Sequence, residues 1–119
     1  MAAEGSRLRI RTSAGVTRVE FVDRNILDEA NIQAIGEEIA ALVEAEPKPR
    51  ILISFNNVDH LSSAALGTLI TINNKVKARG GQLRLADIDP QIYEVFVITK
   101  LNKLFDIHET GEAALKSFA

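Results

Sequence analysis

Apolar and polar residues alternate at the start of the chain. Leu8, Ile10 and Thr12 are set against Arg7, Arg9 and Arg11, the period-two pattern of a half-buried strand. Ser13-Ala14-Gly15 supplies a turn, with Gly15 able to take a positive φ. Val16 to Val22 reads as the returning strand, with Val19 and Phe21 on one side, so a hairpin is predicted. Asp23-Arg24-Asn25 breaks the strand, and the period then lengthens. Ile32, Ile35, Ile39 and Leu42 recur at helical spacing, with Glu29, Glu37, Glu38 and Glu44 around a solvated face. Asp28 stands where it can cap this helix, and Pro47 and Pro49 end it.

The most apolar run follows. Arg50 to Phe55 predicts a central strand covered on both faces. After the loop Asn56-Asn57-Val58-Asp59-His60, a helix beginning near Ser63 is predicted. Its apolar arc is Ala65, Leu69, Ile72 and Val76, flanked by Leu66 and Ile70, and Gly80-Gly81 stops it. Gln82 to Ala86 is a further strand. Asp89 before Pro90 predicts another helix, with Ile92, Val95 and Phe96 on its buried side. Leu104 to Ile107 is a short last strand or edge segment. Thr110 caps a terminal helix that buries Ala113, Ala114 and Leu115, joined by Phe118. Alternating strands and helices behind an opening hairpin predict a single α/β domain over 1–119. Its mixed sheet has four to five strands with helices packed against it, and residues 1–6 form a flexible tail.

Composition narrows the function classes. Of 119 residues 46% are hydrophobic and 25% charged, and the formal net charge is −2 with no basic stripe, which argues against nucleic-acid binding. No cysteine is present, so disulfides and thiolate-held metal are excluded, and a reducing cytoplasm fits. Met1 to Gly5 lacks the pattern of a signal peptide, and no apolar run is long enough to span a membrane.

Catalytic and cofactor motifs are missing. There is no phosphate-binding glycine loop and no dinucleotide fingerprint, so no cofactor is expected. His60, Ser63 and Asp59 lie too close in sequence for triad geometry and lack a nucleophile elbow. His60 is expected on a loop rim and His108 in solvent beside Asp106 and Glu109. Two separated histidines make no zinc site. Asp87 and Asp89 read as turn and cap. A phosphoreceiver domain of this size needs an aspartate after its central strand, where this chain has Asn56-Asn57. No catalytic residue and no metal ligand is therefore assigned, and the chain is expected not to be an enzyme.

What remains is the start of the central helix. Its first N–H groups are unpaired and its dipole is positive there, so it can accept an anion. Ser62 and Ser63 stand at that point, each a candidate N-cap and a candidate phosphoacceptor. At 100° per residue, Ala64, Gly67, Thr68, Thr71 and Lys75 lie away from the Leu69/Ile72/Val76 side, and Asn56, Asn57, Asp59 and His60 would rim the same patch. Small side chains there suit any solvated helix as well as a docking surface.

The segment Leu61-Ser62-Ser63-Ala64-Ala65-Leu66-Gly67, with Gly80-Gly81 downstream, resembles the STAS domain family, whose best-known members are bacterial anti-sigma factor antagonists. The similarity continues through Gln82-Leu83-Arg84-Leu85 and Val95 to Leu101, covering nearly the whole chain. The resemblance implies a STAS-like fold and a docking role. The chain would act in partner switching, binding a serine-kinase-type anti-sigma factor and so releasing the sigma factor in the cytoplasm. The departures are specific. Ser62 stands where the family usually has Asp, and Ser63 matches the first hydroxyl position. Ala64 falls on the residue that members have phosphorylated, and Ala65 replaces a glycine. Alanine has no oxygen to accept phosphate, so Ala64 is an altered switch position, and Ser62 or Ser63 would have to substitute. The expected partner-binding residues are Asn57, Asp59, His60, Ser62, Ser63, Ala64, Gly67, Thr68, Thr71 and Lys75. The alternative is a STAS-type scaffold or regulatory module, unphosphorylated, within a larger signalling assembly.

Overall fold

A computed structural model describes residues 8–13, 15–26 and 28–118. In chain order the elements are β1 (Leu8–Ser13), β2 (Val16–Phe21), β3 (Asn25–Ile26), α1 (Glu29–Ala45), β4 (Arg50–Ser54) and β5 (His60–Leu61). They continue with α2 (Ser63–Ala78), β6 (Gln82–Ala86), α3 (Pro90–Ile98), a 3-10 turn (Leu101–Lys103), β7 (Asp106–His108) and α4 (Gly111–Lys116). Five strands form one sheet in the order β1-β2-β4-β6-β7. The hairpin β1/β2 is antiparallel and every other pair is parallel, giving the mixed sheet expected. The expected tail, residues 1–6, lies outside the described residues.

The strand pleat divides the molecule in two. Ile51 and Ile53 of β4, Val19 and Phe21 of β2 and Leu83 and Leu85 of β6 point to one side. They join Ile32, Ile35, Ile39 and Val43 of α1, Leu69, Ile72 and Val76 of α2, and Ile92 and Phe96 of α3 in a single core cluster. The opposite side carries Val16, Leu52 and Ala86, covered by Ala114 of the six-residue α4 and by Phe118 just beyond its end. Beside that smaller cluster the second face is polar. Ser54, fully buried, donates to Asp87 Oδ2 at 2.7 Å, and the Gly111 N–H donates to Asp87 Oδ1 at 3.2 Å. Arg18 lies 3.3 Å from Glu20 and 3.9 Å from Asp87. Asp87 holds φ +60, a conformation that Asp tolerates better than most residues. Arg84 spans Asp106 at 2.9 Å and stacks 4.8 Å from the Phe118 ring centroid.

Several expectations are corrected. Only Leu8 of β1 is buried. Ile10 is exposed on β1, which is the edge strand of the sheet. Val43 is buried in α1, while Leu42 is partly buried and packs on the core. Val95 is exposed on α3, since the helix seats only Ile92 and Phe96 against the sheet. Ala113 is exposed, and Leu115 is half-buried beside the buried Ala114 and Phe118. His108 is half-buried, its Nε2 3.0 Å from Asp106 Oδ1, and not free in solvent. Asp28 occupies the N-cap of α1 without a side-chain cap bond. The two-residue pairing of β3 with β5 was not anticipated.

Candidate functional site

β4 ends at Ser54, and the chain turns sharply. Phe55 is buried and its N–H donates to the Ala86 carbonyl at 2.9 Å, keeping it in line with the sheet. Val58 is the one buried residue of the following loop, its N–H closing a turn onto the Phe55 carbonyl at 3.0 Å. Around that anchor Asn56, Asn57, Asp59 and His60 are exposed.

The loop is tied at several points to the segment between β2 and α1. Asn57 donates its amide to the Val22 carbonyl at 3.1 Å. The N–H groups of Asp59 and His60 both meet the Arg24 carbonyl, at 2.7 and 3.2 Å, and Arg24 Nε donates to Asp59 Oδ2 at 2.9 Å. β5 then pairs in parallel with β3, and the Ser62 N–H donates to the Ile26 carbonyl at 3.1 Å. A surface loop bonded this often to its neighbour is a fixed rim.

Ser62 is the N-cap of α2. It has extended backbone (φ −81, ψ 165), and its Oγ accepts the Ala65 N–H at 3.2 Å, satisfying one of the helix's first free donors. Its side chain is half-buried, whereas Ser63 and Ala64 are exposed. Ala65 and Leu66 turn inward with Leu69, Ile72, Asn73 and Val76. On the outward side Gly67, Thr71 and Lys75 are exposed, and Thr71 returns its hydroxyl to the Gly67 carbonyl at 3.2 Å. α2 contains no acidic residue, so its exposed side is neutral or basic along its length.

Thr68 behaves differently from its neighbours. It is half-buried because α1 approaches α2 here. A Cβ on Gly36 would lie 2.8 Å from the Thr68 methyl, so only glycine permits this spacing. Beside the contact, Gln33 and Glu37 of α1 face Thr71 and Lys75 of α2 across a shallow groove of about 310 Å³. The sequence-based site residues are therefore contiguous, running from the Asn57–His60 rim over the Ser62–Ala64 tip to Gly67, Thr71 and Lys75, with Thr68 in the groove wall.

Sequence reasoning missed the contribution of other elements. Arg24, read only as a strand breaker, fixes Asp59. Glu37, read only as part of a solvated face, and Gln33, given no role, form the far wall of the groove. Opposite charge on Arg24 and Asp59 was the sole available hint, and nothing local tied residues 35 apart in the chain. Among the described residues no hydrogen bond joins His60 to Ser63 or to Asp59, whose carboxylate is taken by Arg24. Among those residues no cluster of His, Asp and Glu is placed to hold a metal ion, and no helix is long and apolar enough to cross a membrane.

Comparison with known proteins gives consistent matches. Residues 9–114 match the family model for the STAS domain. A candidate anti-sigma factor antagonist, BtrV, of Bordetella bronchiseptica is 26% identical over 95 residues, covering 80% of this chain and 81% of that protein. The anti-sigma-B factor antagonist of Bacillus subtilis is 26% identical over 90 residues, covering 76% and 81%. In fold, the solved structure of an anti-sigma-factor antagonist (STAS) domain protein from Planctomyces limnophilus superposes with a TM-score of 0.84 at 22% identity, covering 94% of this chain and 98% of that one.

Proposed function

The chain belongs to the STAS domain family of anti-sigma factor antagonists, and from this premise we propose that it regulates bacterial transcription by binding a serine-kinase-type anti-sigma factor. Occupying that partner releases the sigma factor it would otherwise hold. The observation that carries this reading is the start of α2, where Ser63, Ala64 and Gly67 are exposed beside a rim fixed by Arg24 and Asp59. Short side chains let a partner's backbone approach closely, and a pre-ordered rim lowers the entropy lost on docking. The reading implies a cytoplasmic location and no chemistry at the site.

Regulation by phosphate would fall on Ser63. Its hydroxyl is exposed at the first position of α2, whereas the Ser62 hydroxyl already caps the helix and is half-buried. Phosphate at a helix start meets free N–H groups and the positive dipole end, so the domain keeps its fold while the added charge blocks a closely packed partner. A second reading is favoured by Ala64, which carries a methyl group where the resemblance places the usual acceptor. The protein would then be a permanently unphosphorylated binding module in a signalling assembly.

Affinity capture from the native cell extract, followed by phosphate mapping, tests both. Recovery of a kinase-fold anti-sigma factor by the wild-type chain, with at least tenfold weaker binding by Ala64→Arg (about 1.4 kcal/mol), supports the first reading. Phosphate on Ser63, lost in Ser63→Ala, assigns the switch. The same partner without phosphate means a constitutive antagonist, and a multi-protein sensory assembly lacking any kinase-fold protein favours the second reading. Equal binding by wild type and Ala64→Arg overturns the site. Turnover of a small substrate that Ser63→Ala abolishes overturns the non-enzymatic role.

A further inference from the structure

α3 carries only two polar side chains, Gln91 and Glu94, both exposed. Of its nine residues six are Ile92, Tyr93, Val95, Phe96, Val97 and Ile98. A helix with hydrophobic residues on every side is ordinarily buried on every side. Here the sheet takes only Ile92 and Phe96. Tyr93, Val95 and Val97 remain 40–44% exposed and Ile98 is 72% exposed. Only two other large hydrophobic residues among those described, Ile10 and Val22, are comparably uncovered, and neither lies in this segment. An adjoining cleft lined by Ile88, Tyr93 and Ile107 widens the patch.

The charges at this surface are self-complementary. Glu94 lies three residues before Val97 and Lys100 three residues after it, just beyond the helix cap at Thr99. Among the described residues neither has an ion pair or hydrogen-bonded side-chain partner. A two-fold axis through Val97 with the two helices antiparallel brings each Glu94 toward the other copy's Lys100 and closes both pairs at once. Such an isologous contact uses one patch twice.

We propose that the outer face of α3 is a self-association surface on which a second copy of this chain docks, helix against helix and antiparallel. A pair of nine-residue helices buries less than the roughly 1,600 Å² of a standard interface, so the dimer is weak and concentration-dependent. The surface shares no residue with the α2 docking site, so the inference stands independently of the function proposed above.

Sedimentation equilibrium on the full chain, from micromolar to millimolar concentration, tests it. The expected mass rises from one chain to two. Ile98→Lys holds it at one chain without changing the melting temperature, because that side chain is mostly in solvent. Glu94→Lys and Lys100→Glu each weaken dimerisation about tenfold, and the double swap restores it. A single-chain mass at every concentration overturns the proposal, as does a dimer indifferent to Ile98→Lys or a double swap no tighter than the singles. Loss of a different partner protein on Ile98→Lys, with the wild-type chain always monomeric, assigns the face to that partner and overturns it too.

Discussion

Leu52 and Ile53 are neighbours in β4, both with 0% exposure, yet they serve the two faces of the sheet in different ways. Ile53 meets a continuous apolar core under the 17 residues of α1 and the 16 of α2. Leu52 belongs to a cluster of only five buried residues beside the six-residue α4, and a polar network continues the layer where apolar cover ends. One face is held by area removed from water. The other is held by a few directional bonds around Asp87. The difference determines how each face responds to damage.

The largest effect is expected at Ile53. Ile53→Ala leaves a cavity between a central strand and two long helices that cannot settle into it, destabilising the fold by about 4 kcal/mol in urea denaturation. Leu52→Ala removes a side chain of the same size, but the short α4 can shift inward, and the loss is about 2 kcal/mol. Equal losses would break the comparison, because they would mean that the α4 layer is as rigid as the helical core.

Next in size is Asp87, which joins the polar layer to α4. Asp87→Ala strands the buried Ser54 hydroxyl and the Gly111 N–H, removes the carboxylate beside Arg18, and leaves alanine at φ +60. Unsatisfied buried groups and the left-handed backbone together give a loss of about 3 kcal/mol. Asp87→Asn keeps an acceptor and tolerates that φ, so it recovers about half. Amide exchange supplies the sharper readout. The α4 amides should exchange faster in Asp87→Ala while those of α1 hardly change.

The same contrast explains what the sequence disclosed. The helical face is written in local periods: Ile32, Ile35 and Ile39 at helical spacing, and Arg50 to Phe55 as one apolar run, each need only the pattern within its own element. Punctuation was equally local. Gly80-Gly81 ends α2, Gly80 taking φ +74, and Asp89 caps α3 ahead of Pro90. The polar face was not legible, because Ser54 and Asp87 are 33 residues apart and each alone reads as an ordinary turn or strand residue. For the same reason the site was found in part. The tip of α2 declares itself through Ser62, Ser63 and Leu66-Gly67, but Arg24 and Glu37 enter only once β2 and α1 have been placed beside it. Val95 was misplaced because α3 has apolar residues on every side, which erases the period that would say which side is buried.

The smallest effect is expected where intuition would put a large one, at the buried Ser54. Its hydroxyl makes a 2.7 Å bond to Asp87, yet Ser54→Ala should lower stability by only about 0.5–1 kcal/mol in the same urea titration. The asymmetry lies in what is left behind. Alanine brings no polar atom into the buried space, and the partly exposed Asp87 carboxylate keeps the Gly111 N–H and reaches water. Removing Asp87 instead leaves a buried donor with no acceptor. A double-mutant cycle measures this directly. Asp87→Ala should destabilise the Ser54→Ala background less than wild type, because the hydroxyl it would have stranded is already gone. If the two losses simply add, the Ser54–Asp87 bond contributes nothing to holding this face, and Asp87 acts through Gly111 and Arg18 instead.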